Sequence, residues 1–203
     1  MNRRAMYSVR VSLVAVALSL TSIVAGCGPA AEPPLAGTGI GGQFELVDKT
    51  GKTVRWSDFE GKYRMVYFGF TYCPDACPTD LARSGKGLKL FEQEHPDLGA
   101  KVQPIFISVD PERDTPAVVG EFAANFHPRL IGLTGTPAQV KAAADAFKVF
   151  YEKAPAGSDG QYMVNHSTVT YLFGPKGEPL ATIPTDVNDN GEAVAEELGK
   201  WVS

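Results

Sequence analysis

Two of the chain's three cysteines, Cys73 and Cys77, stand four positions apart in "GFTYCPDACPTD" (69–80), each followed directly by a proline. Two thiols so spaced can form a redox disulfide, clamp a soft metal ion or staple the fold. Stapling is the weakest use, because two cysteines make a single bridge and a chain of 203 residues has core enough without one. If Cys73 starts a helix and Cys77 lies one turn in, both side chains share a face with Cβ atoms about 5–6 Å apart. Free backbone N–H groups at a helix N-terminus favour thiolates, which are both nucleophiles and soft-metal ligands. A disulfide needs Cβ atoms at about 3.5–4.5 Å, so a metal ion spans the expected gap with less adjustment. The spacing favours metal binding and leaves thiol–disulfide chemistry open.

A metal needs a third ligand, and the chain has three histidines. His95 in "EQEHPDLG" and His127 in "NFHPRL" each precede a proline at the end of a helical pattern and read as surface residues. His166 in "YMVNHSTVTYLF" follows the loop "APAGSDGQ" and stands just before a strand, which makes it the candidate ligand, although a capping or core histidine fits the same place. Met163 is a second soft donor, more simply read as packing. Two sulfurs and an imidazole suit copper; zinc with three protein ligands and a water is the competitor. No well-placed carboxylate beside the cysteines supports zinc hydrolysis.

The elements that must hold these residues follow from the pattern. "GQFELVDKTGKTVRWSDFEGK" alternates around "DKTG" and predicts an N-terminal β-hairpin. "RMVYFGF" (64–70) and "VQPIFISVD" (102–110) are continuous apolar runs, as in strands buried on both faces. Leu81, Leu88 and Phe91 recur at helical spacing until "HPDLG". "TPAVVGEFAANF" and "TPAQVKAAADAFKVFYEK" are helices entered through Thr-Pro, the first with Thr115 as N-cap and Pro116 at its first position. "LIGLTG" is a short strand, "STVTYLF" and "EPLATIPT" form a hairpin over "GPKG", and a last helix runs from about Gly191 to Val202. The order predicts an α/β fold with a central β-sheet and helices on both faces. Cys73 and Asp110 then lie at the carboxyl ends of two strands, where the sites of such sheets gather.

The ends and the charge set the surroundings. Residues 1–27 combine Arg3, Arg4 and Arg10 with the 16-residue apolar run "VSLVAVALSLTSIVAG" and end at Cys27. This is the anatomy of a signal peptide, shorter than the roughly 20 residues of a membrane span. "VAGC" resembles a lipoprotein cleavage site at which Cys27 is lipidated; the other readings are an ordinary signal peptide or a short uncleaved anchor. Residues 28–42, "GPAAEPPLAGTGIGG", read as a flexible tether, and 43–203 as one domain outside the cytoplasm, in a bacterial periplasm. The full chain carries 19 Lys and Arg against 23 Asp and Glu; without the leader's three arginines the balance is 16 against 23. That acidity excludes nucleic acid as a natural partner.

"YFGFTYCPDACP", "PIFISVDPERDTP", "LIGLTGT" and "VNHSTVTYLFGPKGE" together resemble the Sco/SenC family in order and spacing, over residues 43–202. The resemblance implies a thioredoxin-like fold with a mixed sheet, and copper held by Cys73, Cys77 and His166. It implies delivery of that copper to the binuclear copper centre of cytochrome c oxidase, with the copper-centre subunit as partner. A copper donor and a thioredoxin-like reductant would serve the protein. Asp110 and the following "PERDTP" match a second family motif, so Asp110 is expected beneath the site or in partner docking. Many members have a transmembrane anchor, whereas here the leader looks lipoprotein-like; Gly28 after Cys27 gives no inner-membrane retention signal, in tension with an oxidase-assembly role. Two other functions share these residues. Cys73 and Cys77 can reduce the cysteine pair of an apo copper site, with Cys73 as attacking thiol, or the protein can sense copper or redox state. A peroxidase fits poorly, because Phe70 stands where those enzymes carry Thr or Ser.

Overall fold

The computed structural model describes residues 32–158 and 160–203. Cys27 and the rest of the leader lie outside the described residues. The chain opens with a hairpin of β1 (Glu45–Val47) and β2 (Thr53–Arg55). Its turn is held by Asp48, whose carboxylate accepts from the backbone N–H groups of Thr50 and Lys52. After a 3-10 turn at Trp56–Phe59, β3 (Tyr63–Gly69) is buried along its whole length. The helix α1 (Ala76–Glu94) and the short α2 (Pro96–Gly99) cross over to β4 (Val102–Ser108), which runs parallel to β3.

Two Thr-Pro entries then work as the sequence predicts. Thr115 Oγ1 accepts from Val118 N–H to start α3 (Pro116–Ala124), and Thr136 caps α4 (Pro137–Ala146). Between them β5 (Ile131–Leu133) pairs parallel to β4. A separate ribbon of β6 (Tyr151–Lys153) and β7 (Val164–His166) follows. The hairpin β8 (Thr170–Phe173) and β9 (Pro179–Ile183) completes the central sheet, and α5 (Glu192–Trp201) closes the fold. The sheet order is β5-β4-β3-β8-β9, mixed because β8 runs antiparallel to β3. Among the described residues no helix is long and apolar enough to cross a membrane.

Alternation along the central strands gives the sheet two covered faces. Met65, Leu172 and Ile183 meet Leu88 and Phe91 of α1 and Val194 and Leu198 of α5. Val66, Phe68, Ile105 and Phe173 meet Val140, Ala143 and Ala144 of α4 on the other side. Two glycines inside α1 cost helix propensity, about 1 kcal/mol each, but allow close packing. A Cβ at Gly87 would stand 2.4 Å from Val194 Cβ, and one at Gly85 2.4 Å from the Phe126 carbonyl oxygen.

Four local expectations change. The helix expected over "TPAQVKAAADAFKVFYEK" stops at Ala146, and its last residues form β6. Phe147 and Val149 are both buried, so the chain turns at Lys148, which takes a positive φ of 56°, and leaves the helix to insert both side chains. Cys73 precedes α1 by three residues. His127 is buried at 2 % exposure, against the surface position expected; His95 is exposed. The segment read as a tether is described from Glu32, and its second half lies on the domain: Leu35 N–H donates to Leu180 O, Gly41 N–H to Ala146 O.

Candidate metal centre

The paired strands β3 and β4 end side by side at Gly69 and Ser108, so the loops that leave them are neighbours. Val109 N–H donates to Gly69 O across this end. The register of β8 brings in the third partner. Thr170 stands opposite Tyr67, so the chain ahead of Thr170 runs past the end of β3, toward the loop that carries Cys73. His166, the last residue of β7, lies there. Cys73 Sγ, Cys77 Sγ and a His166 ring nitrogen lie within 4.8 Å of one another, the one such group among the described residues. Donor atoms around a single ion with bonds of about 2.0–2.3 Å stand about 3.5–4 Å apart. The trio is therefore close to closing on a cation. Its two thiols are free, and Cys73 is partly exposed while Cys77 is fully buried.

Each ligand atom is aimed by a contact. Cys77 N–H donates to Cys73 Sγ at 3.3 Å, so the sulfur takes the place of a capping side chain at the start of α1. His166 Nδ1 lies 2.8 Å from the Ser167 carbonyl oxygen, an acceptor, which puts the ring proton on Nδ1. Nε2 then presents its lone pair to Cys77 Sγ, 3.3 Å away. This is how metal-binding histidines are oriented. The rings of Tyr67 and Phe70 stand edge-on to the imidazole, with centroids 6.2 and 5.8 Å away.

Burial decides the charge states. It pushes the Cys77 thiol well above the ordinary thiol range, aided by the hydrogen bond with Cys73. It pushes His166 down, against the weaker pull of the Ser167 carbonyl and Asp80, so the imidazole is neutral at pH 7. Without a cation, the Cys77 S–H donates to Nε2; a bound cation takes the place of that proton. Beneath them Tyr67 donates its hydroxyl to Asp80 Oδ2 at 3.1 Å, and burial raises the pKa of both groups.

Asp110 lies outside the trio. Its carboxylate is buried, accepting from Arg113 Nε at 2.6 Å and the Tyr162 hydroxyl at 2.8 Å. Burial and that bond to Asp110 raise the Tyr162 phenol to about 12. Asp114, also fully buried, accepts from Thr71 N–H, Thr71 Oγ1 and Ser108 Oγ, and so ties the cysteine loop to the end of β4. Met163 is 44 % exposed.

The match to known proteins falls on this domain. The family model described as SCO1/SenC covers residues 33–203. The chain belongs to the SCO1/SenC family. An SCO2-like protein of Rickettsia felis is 40 % identical over 158 residues, 73 % of this chain and 75 % of the relative. The solved structure of Bradyrhizobium japonicum ScoI with copper bound is 36 % identical and superposes with a TM-score of 0.71, over 80 % of this chain and 99 % of that one. BsSco, described as a Sco-family cytochrome c oxidase assembly protein with a disulfide switch, is 26 % identical with a TM-score of 0.64, over 84 % and 96 %. As in its Sco neighbours, the fold of this SCO1/SenC chain is thioredoxin-like, a mixed sheet with helices on both faces and an added N-terminal strand pair.

Sequence reasoning missed several residues around the trio. A Cβ on Gly69 would stand 2.9 Å from Cys77 Sγ and 2.9 Å from the Tyr67 ring, so only glycine leaves room for the thiol. Tyr67 and Phe70 read as core residues of an apolar run, with nothing to distinguish them. Arg113 and Asp114 stood in plain view within "PERDTP", but Tyr162 and Thr71, the partners that join them to the site, are 49 and 43 positions away.

Proposed function

We propose that this protein is a copper metallochaperone of cytochrome c oxidase assembly, holding copper between Cys73, Cys77 and His166. The convergence of two sulfurs and one oriented imidazole nitrogen carries this reading. Two soft thiolates with a neutral imidazole match copper by ligand softness. The copper-bound ScoI of Bradyrhizobium japonicum and the oxidase-assembly role of BsSco support carrying the same cargo and destination to this chain. Copper is cargo here: Cys73, the more exposed ligand, is the one a recipient's thiolate reaches first, and stepwise ligand exchange moves the ion without a change in its oxidation state. The recipient is the copper-centre subunit of the oxidase. Residues 1–27 serve as a lipoprotein signal, with Cys27 lipidated, and the segment after it holds domain 43–203 at a bacterial membrane on the periplasmic side.

The deciding experiment is anaerobic copper loading of the reduced protein, with metal content and thiol accessibility measured together. The expected result is one copper per chain, both thiols protected, and loss of most binding in His166→Ala while the Cys73–Cys77 disulfide still forms. Unchanged copper affinity in that variant would remove His166 from the site.

A second reading is favoured by the free thiol pair and the partial exposure of Cys73. The reduced pair attacks a disulfide in the apo recipient through Cys73, and Cys77 resolves the mixed disulfide. Two electrons and two protons pass to the recipient, which gains two thiols, while Cys73 and Cys77 become a disulfide. A protein that stays metal-free yet turns over such a disulfide would make this the primary role.

A further inference from the structure

The ribbon β6–β7 pairs with no strand of the central sheet. Val164, beside the loop that joins its two strands, is buried in the core against which Cys73 of the cysteine loop also packs. One side chain spans ribbon and cysteine loop. Arg113 Nε binds Asp110, and its Nη1 donates to the Tyr162 carbonyl oxygen at 2.9 Å. Its guanidinium lies 3.6 Å from the centroid of the Tyr162 ring and 4.7 Å from that of Tyr72. It also stands 5.8 Å from the Phe70 ring, which itself abuts His166. Tyr72 is adjacent to Cys73 in the chain, and Tyr162 lies four residues before His166. Tyr162 closes the loop through its hydroxyl on Asp110.

We propose that Arg113 is a positioning residue of the metal site: it clamps the loop bearing Cys73 to the ribbon bearing His166 and so sets the approach of the imidazole to the thiols. This rests on the reading of Cys73, Cys77 and His166 as the copper ligands. Asp110 acts through this clamp as the anion that fixes the guanidinium, not as a ligand. Arginine suits the position because its planar fork makes two directed hydrogen bonds and stacks on two rings together; a lysine keeps only the charge. Outer partners of metal ligands change affinity by about 10–100-fold when removed.

The test uses the full-length chain in detergent, as wild type, Arg113→Gln, Arg113→Lys and Tyr162→Phe, each checked for folding by circular dichroism. Pulsed EPR of the Cu(II) form reads the imidazole nitrogen coupling, and transfer to a chelator reads copper release. Hydrogen exchange of the Ser167 amide, without copper, reads the ribbon itself. Arg113→Gln should still bind one copper through sulfur, with weakened nitrogen coupling, release faster by about 10–100-fold and faster exchange at Ser167. Arg113→Lys should fall between it and wild type, and Tyr162→Phe should shift less, since it keeps the ring and the carbonyl. Wild-type coupling, release and exchange in a folded Arg113→Gln would overturn the clamp. Should that variant not fold, wild-type values in both Arg113→Lys and Tyr162→Phe would overturn it instead. Absence of nitrogen coupling in the wild type would overturn the ligand reading and the clamp with it, a result distinct from a clamp that fails while wild-type coupling is present.

Discussion

Cys77 sits over Gly69, a position where the site has no room for a larger residue. Gly69→Ala must displace the Cys77 sulfur or the Tyr67 ring, since its Cβ would stand 2.9 Å from each. Overpacking of this kind costs about 1–3 kcal/mol. The expected outcome is a lower urea midpoint together with weaker copper binding, measured on the same preparation. A variant of lowered stability with wild-type copper affinity would show that the sulfur keeps its place and the tyrosine moves. Single residues were unevenly legible in the sequence. The two thiols announced themselves by type and spacing, whereas Gly69 is one of 21 glycines, and nothing local says that a sulfur lies over it.

At the scale of elements, the short-range signals held where neighbouring residues alone satisfy the backbone. The capping box of α4 is such a case: Thr136 Oγ1 accepts from Gln139 N–H, and Gln139 Oε1 accepts from Thr136 N–H. Thr136→Ala should lower stability by about 1 kcal/mol, read as a urea midpoint shift, with copper binding untouched. A loss of copper binding in that variant would mean that α4 braces the site, which its place behind the opposite face of the sheet does not predict. The far end of the same helix departs from its local pattern for a long-range reason. Its helical pattern runs on through Phe147 and Val149, yet both are claimed by the core, and β6 is claimed by its pairing with β7.

For the whole molecule, the buried His127 gives a pH signature. Its Nδ1 accepts from Arg129 N–H, and its Nε2 faces Glu92 of α1 at 3.5 Å, with Glu92 also paired to Arg129. Burial holds its pKa below the ordinary value, against the opposing pull of Glu92. Above pH of about 6.5, folded and unfolded chains both carry it neutral. As pH falls below that, the unfolded chain takes up a proton that the folded chain refuses, so stability declines. Wild type should therefore lose more stability between pH 7.5 and 5.5 than His127→Gln in urea unfolding. His166, also depressed by burial, is common to both proteins, so its contribution cancels in the comparison. Equal losses in the two would show that His127 does not resist protonation in the fold.

The sequence by itself determined the sulfur pair, the strands that are buried on both faces, the capped helix starts and the acidic balance of the domain. These rest on interactions within a few residues, or on composition. Tertiary structure alone decided the rest. His166 meets Cys77 across 89 positions because β8 docks antiparallel on β3 in one register. Slipping that register by one residue would reverse the faces of the strand and expose its buried side chains, so burial of the core holds the imidazole at the thiols. The Arg113 contacts with Tyr72 and Tyr162 arise the same way, from loops that become neighbours only when the sheet closes.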